Sequence, residues 1–177
     1  MIRLDRELAS RVRLLVLDVD GVLTNAHLIL GPDGEEIKEF SVRDGIGIKV
    51  AQFGGLDVAL LSGRVSEIVR RRAEMLGITE LHQGEQHKLP VVRKMAGQRG
   101  IGLDQVAYVG DDLVDIEPVM AVGVGVAVAD ACVDLLAVAP HVAETNGGRG
   151  AVRETVEAIL RARGDWQEVY RGFLASL

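Results

Sequence analysis

Short apolar runs alternate with longer helical patterns along most of the chain. The runs are Leu14 to Val19, Val58 to Leu61, Val106 to Val109 and Val124 to Val128, each rich in Val or Leu and running out at Asp, Ser or Gly. Uninterrupted apolar runs suit strands buried on both faces, as in a parallel sheet. Between them the spacing predicts helices near residues 44–53, 65–76, 86–99, 112–121 and 150–162. Strand and helix in this alternation predict an α/β fold, a doubly wound parallel sheet. Such sheets bind ligands at the carboxyl ends of their strands, so the polar residues that close the runs are the ones to weigh.

Two segments break the alternation. His27 to Leu30, Gly31-Pro32-Asp33-Gly34 and Glu36 to Phe40 read as a β-hairpin with a Pro/Gly turn, placed where a simple doubly wound fold would begin a helix. At the other end Trp166, Val169, Tyr170, Phe173, Leu174 and Leu177 recur at helical spacing, an amphipathic helix. Residues 1–164 are thus expected to form one domain with a hairpin at about 27–40, and 165–177 a helical tail. The tail has two candidate surfaces, its own subunit or a neighbour's active-site mouth.

Composition narrows the partners. The chain has 177 residues, 48% hydrophobic and 3% aromatic, so its core must come from Val, Leu, Ile and Ala. A formal charge of −6 argues against nucleic acid or an anionic membrane, though not against a small anion held at a local positive site. The single cysteine, Cys132, excludes an internal disulfide and reads as a small buried apolar residue. The longest apolar run, Val119 to Ala129, falls well short of the ~20 residues a membrane span needs. The N-terminus carries no secretory pattern, and a cytoplasmic protein is expected.

The closing residues each admit a plain and a chemical reading. Asp18-Val19-Asp20-Gly21 ends the first run with carboxylates at i and i+2; this is a turn, or a charge concentration awaiting a divalent cation. Ser62-Gly63-Arg64 opens a helix, either as an ordinary cap or as an anion cradle. Asp111, Asp112 and Asp115 cluster after the third run, where like charges weaken a helix. Lys88 at a predicted helix start opposes the helix dipole and is either solvated or a phosphate ligand. In the helix after Ser62, Arg72 falls on the apolar stripe Val65, Ile68, Val69, Ala73, Leu76, either snorkelling at its border or facing a ligand.

The order of these pieces is more telling than any one of them. Through DVDGVLT, GEEIKEFSVRDGIGI, LSGR, LGITELHQG, KL, VAYVGDDLVD, VGVGVAVADA and GGRGAVRE, the chain resembles the haloacid dehalogenase-like phosphatases from about Arg13 to Gly164. Within them it is most similar to the 3-deoxy-D-manno-octulosonate 8-phosphate (KDO 8-phosphate) phosphatases. The resemblance implies a Mg²⁺-dependent phosphomonoesterase acting on a sugar-acid phosphate. Asp18 would be the nucleophile and Asp20 the general acid and base. Asp18, Asp111 and the main-chain carbonyl of Asp20 would hold Mg²⁺, with Asp112 in or near that shell. Ser62, Gly63 and Lys88 would bind the phosphoryl group, Arg64 and Arg72 the sugar acid, and Asp115 would orient its neighbours.

Only 43 residues separate Asp18 from Ser62 and 25 separate Ser62 from Lys88, too few for a cap domain over the site. Capless relatives form a tetramer through their hairpins, and a homotetramer is expected here. Ala26-His27, Ile46 and His87 depart from the relatives' pattern and bear on which sugar acid is taken. The rival readings are a phosphatase for a nine-carbon keto-sugar acid phosphate, or one of broad specificity. A rival of another class is a phosphoacceptor or regulatory binding domain. The latter normally phosphorylates an Asp ending a middle strand, whereas that strand here ends in Ser62.

Overall fold

The apolar runs become strands whose register brings their polar ends together. In the computed structural model, which describes residues 2–177, β1 (Leu14–Leu17) has no exposed residue and lies at the centre of a six-stranded sheet. It pairs in parallel with β4 (Asp57–Ser62) on one side and β6 (Val106–Gly110) on the other, so that Leu17 stands level with Leu60 and Val109. Asp18, Ser62 and Asp111 therefore emerge from one edge of the sheet. The hairpin strands β2 (Ile29–Leu30) and β3 (Glu36–Ile37) form a separate two-stranded ribbon, shorter than the sequence pattern suggests. β5 (Glu80–Gln83), β7 (Val124–Ala127) and β8 (His141–Val142) complete the main sheet in the order β5-β4-β1-β6-β7-β8, all parallel.

The helices connecting the parallel strands pack on the two sides of this sheet. α1 (Arg6–Arg11) and α2 (Val42–Phe53) pack on α7 (Ala151–Arg163), and α8 (Trp166–Ala175) lies against both α2 and α7. α3 (Glu67–Leu76) touches α2, while α4 (Lys88–Gln98), α5 (Ile116–Ala121) and α6 (Val133–Val138) form the other layer. The expected doubly wound α/β fold is what the chain adopts. Among the described residues no helix is long and apolar enough to cross a membrane.

Two distant motif blocks turn out to be one fastening. Ser41 caps α2, its hydroxyl accepting from the Asp44 N–H at 3.3 Å. The buried Asp44 carboxylate in turn accepts from the N–H groups of Gly150 (3.1 Å) and Arg153 (2.9 Å), capping α7 across the domain. Burial pushes the Asp44 carboxyl above its ordinary value against the pull of those donors. Gly147 and Gly148 wedge under the first-strand loop, where a Cβ on Gly147 would lie 1.6 Å from the Gly21 carbonyl oxygen.

Several details differ from the pattern-based expectation. Val65 is not on the buried stripe; α3 begins at Glu67 and Val65 is 77% exposed, because the loop after Gly63 is not yet helical. The helix expected over 112–121 starts as a 3₁₀ turn, Leu113–Asp115, before α5. β5, β8, α1 and α6 fall outside the expected elements; in β5, Glu-Leu-His-Gln at the sheet edge is only half-buried along its length and carries no apolar run. Cys132 is half-buried and precedes α6 rather than sitting in the core.

The tail docks on its own subunit. Phe173 meets Phe53 of α2 edge-on at 6.1 Å, and the indole of Trp166 is covered by the guanidinium groups of Arg153 (5.4 Å) and Arg161 (4.9 Å). The Trp166→Ala variant should lose about 3 kcal/mol in urea unfolding. A loss of a few tenths would mean that the tail does not hold to α2 and α7.

Candidate active site

The loop after β1 presents Asp18 from the sheet floor. Thr24 closes it, its buried hydroxyl accepting from the Gly21 N–H (3.3 Å) and the Ala26 N–H (3.4 Å). Gly21 has φ +97°, and a Cβ there would lie 1.9 Å from Asp111 Oδ2. A glycine is needed because the Asp111 carboxylate rests on this stretch of backbone.

Behind Asp18 stands a fully buried hub. Lys88 Nζ lies 2.9 Å from Asp18 Oδ1 and donates to Asp115 Oδ1 at 2.6 Å. Asp115 also accepts from the Tyr108 hydroxyl (2.6 Å) and from the N–H groups of Asp111 (3.0 Å) and Asp112 (3.2 Å). Both of its oxygens are committed, so it holds Lys88 and the Asp111 loop in place. Burial alone would lower the Lys88 pKa, but Asp18 and Asp115 reverse this and hold it above its usual value.

The front carboxylates carry the opposite stress. Burial, then the charge of Asp115, raises Asp18 to about 6, with Lys88 pulling against them. Burial, then Asp18 and Asp115, raises Asp111 to about 9. Oxygens of Asp18, Asp111 and Asp115 all lie within 4.8 Å of one another, yet Asp111 Oδ1 is buried with no hydrogen-bond partner. An unpartnered carboxylate oxygen beside a second carboxylate is what a hard, oxygen-seeking divalent cation would satisfy. With Asp115 committed to its donors, Asp18 and Asp111 are the side chains free to hold it.

Ser62 is buried beside this floor, its Oγ accepting from the Arg64 N–H at 3.2 Å, which leaves its own proton to donate. Gly63 is braced by Gln86, whose amide donates to the Gly63 carbonyl at 2.8 Å. Asp112 is exposed and caps the 3₁₀ turn through the Leu113 N–H (2.8 Å). Arg64 is half-exposed at the lip, 3.8 Å from Glu36. Arg72 lies further along α3, where it donates to the Ser41 carbonyl (3.2 Å) and stacks on Phe40 at 5.4 Å. Its recorded contacts are with the start of α2, not with the carboxylate cluster, and burial, opposed by Asp44, lowers its pKa.

Asp20 is flanked by a residue the sequence pattern did not flag. Lys38, the residue just after β3, forms an ion pair with Asp20, and its side chain is 1% exposed. The signal was there in principle: Glu36 and Lys38 flank Ile37, so in a strand they share the face opposite to it. Tyr108 was missed for another reason, since inside an apolar run it reads as core and its hydroxyl's partner is invisible. A groove of about 600 Å³, lined by Ile46, Trp166, Tyr170 and Phe173, lies at the tail, away from this chemistry.

Comparisons with known proteins give the family. Residues 74–154 match the family model for haloacid dehalogenase-like hydrolases. The 3-deoxy-D-manno-octulosonate 8-phosphate phosphatase of Escherichia coli is 45% identical over 160 residues, 90% of this chain and 85% of that one. The crystal structure of the same-named enzyme from Moraxella catarrhalis, in complex with magnesium ion, phosphate ion and KDO, superposes with TM-score 0.91 at 36% identity, covering 95% of this chain and 97% of that one. The cobalt-bound phosphatase of Haemophilus influenzae gives TM-score 0.88 at 41% identity, covering 94% and 99%.

Asp18 and Asp111 both titrate higher in the folded than in the unfolded chain, so folding without metal takes up protons. That contribution is full below about pH 4 and is lost as pH rises through about 6 and then about 9. Thermal scans of the metal-free protein should therefore show falling stability from pH 5 to 9. Mg²⁺ at about a hundred times its Kd should restore about 2.7 kcal/mol at pH 8. In Asp111→Asn the metal-free protein should be the more stable one and the Mg²⁺ response absent; a wild-type response would exclude Asp111 as a ligand.

Proposed function

The chain belongs to the 3-deoxy-D-manno-octulosonate 8-phosphate phosphatases of the haloacid dehalogenase-like hydrolases, and on that premise we propose how its residues hydrolyse this phosphomonoester to the sugar acid and phosphate. The observation that carries the reading is the buried Asp18, paired to Lys88 and adjoining the unpartnered oxygen of Asp111. A carboxylate held between an ammonium and a cation site is a nucleophile prepared for an anionic phosphoryl group.

A free oxygen of Asp18 attacks phosphorus, and the bond from phosphorus to the sugar oxygen breaks. Asp20 gives its proton to the departing oxygen, then takes one from the water that cleaves the aspartyl-phosphate. The Ser62 hydroxyl, the Gly63 N–H and the Lys88 ammonium bind the transferring oxygens, holding the charge in line with Asp18. Asp18, Asp111 and the Asp20 carbonyl would hold Mg²⁺, with Asp112 in or near its shell, and the bound ion would supply positive charge to phosphoryl oxygens that otherwise repel the nucleophile. Asp115 and Tyr108 keep Lys88 aimed. Arg64 at the lip meets the carboxylate or hydroxyls of the sugar acid; Arg72, further along the chain on α3, is the second substrate candidate and also a brace for α2.

We further propose a cytoplasmic homotetramer. Leu28, Ile29, Leu30 and Ile37 are exposed on the hairpin, an apolar ribbon, and among the described residues no cap domain covers the site. Light scattering at micromolar concentration should give four times the chain mass; a monomer would exclude the assembly. Across a panel of phosphate esters, KDO 8-phosphate should give the highest kcat/KM, and uniform rates would exclude a dedicated substrate. Asp18→Asn should lower kcat by at least about 10³-fold with Mg²⁺ saturating. Wild-type turnover in that variant would reassign the nucleophile.

A further inference from the structure

A lysine side chain on an exposed hairpin ordinarily lies in water, because burying it costs rotamer freedom as well as desolvation. The Lys38 side chain is buried nonetheless, with only 1% of it accessible. The ribbon does not require this, since β2 and β3 are joined by backbone pairing of Ile29 with Ile37 and Leu30 with Glu36. What the buried ammonium meets is Asp20 Oδ1 on one side and Glu36 Oε1, 3.3 Å away, on the other. Glu36 is itself fixed, its second oxygen accepting from the Ser66 hydroxyl at 2.6 Å; that donor and Lys38 outweigh burial and hold its carboxyl below the usual range. Ser66 is the N-cap residue of α3, so the chain Asp20–Lys38–Glu36–Ser66 ties the loop after β1 to the main domain through the hairpin's base.

We propose that Lys38 is a positioning residue for proton transfer: it holds Asp20 Oδ1, which leaves Oδ2 as the oxygen that carries the proton to the leaving group and later takes one from water. Asp20 needs such a restraint. It precedes a glycine in a left-handed turn and is 27% exposed, so its backbone does not by itself select one carboxylate orientation. Proton transfer requires the donor oxygen within hydrogen-bond reach of the leaving oxygen, and small misplacements there are costly. Lys38 acts through Asp20 and not on phosphate, whose oxygens are served by Ser62, Gly63 and Lys88. The proposal rests on the assignment of Asp20 as general acid, so its test must separate the two.

The readout is dependence on the leaving group. KDO 8-phosphate expels a poor alkoxide that needs a proton, whereas 4-nitrophenyl phosphate expels a stable phenolate that does not. Because kcat/KM reports the steps up to leaving-group loss, Lys38→Met should lower kcat/KM for KDO 8-phosphate by about 10²-fold. It should fall only a few-fold for 4-nitrophenyl phosphate, which also shows that the variant folds. Lys38→Arg should recover most of the alkyl-ester activity. Equal losses on both esters, no loss on either, or a weakened inhibition by inorganic phosphate would overturn the proposal, the last by making Lys38 a phosphate ligand. Asp20→Asn run in parallel should show the same split. If it does and Lys38→Met does not, Lys38 has no positioning role; if it does not, the assignment of Asp20 itself falls.

Discussion

The ion pair between Lys88 and its two carboxylates is the interaction on which the site depends. Asp18, Asp111 and Asp115 sit within a few ångströms of one another in a largely buried space, an arrangement that would force protons onto them if nothing opposed it. Lys88 opposes it from behind, and its cost of burial is offset only because two carboxylates share it. A cation at the front completes the balance. Burial and the neighbouring carboxylates raise the Asp18 and Asp111 carboxyls, and a divalent cation held between them would offset both effects.

Register makes the arrangement reproducible. Because β1 lies level with β4 and β6, Asp18, Ser62 and Asp111 arrive at one sheet edge without long loops to position them. Glycines then remove side chains where backbone and carboxylate must touch: Gly21 under Asp111, and Gly147 under Gly21. Asp44 fastens α2 to α7 from the far side of the same packing. Precision at the carboxylates is thus inherited from a rigid core of Val, Leu, Ile and Ala, with few aromatic side chains to fill it.

What could be read from the chain divides along physical lines. The central strands were legible because burial on both faces demands unbroken apolar runs, and the chemistry at their ends followed from the topology rule for such sheets. The edge strand Glu80–Gln83 was not, since a half-buried strand carries no such run. Among site residues, Asp18, Asp20, Ser62, Lys88 and Asp111 stood out by order and residue type. The depth of Lys88 did not, because a lysine at a helix start is usually solvated, and only the partners Asp18 and Asp115 explain its burial. Lys38 and Tyr108 acquire their roles from contacts across 18 and 7 residues of sequence, which periodicity does not register.

The hairpin ribbon faces two ways, with Ile37 turned to solvent and Lys38 turned to Asp20. Because successive residues of a strand alternate faces, loss or gain of one residue between Gly34 and Lys38 would exchange the two faces together. It would bury an isoleucine against the general acid and point the lysine outward. The tip of the hairpin, Gly31 to Gly34, lies outside that alternation. Descendants of this gene are therefore free to lengthen or shorten the hairpin at its tip, while the four residues from Glu35 to Lys38 form a stretch that tolerates substitutions far better than insertions or deletions.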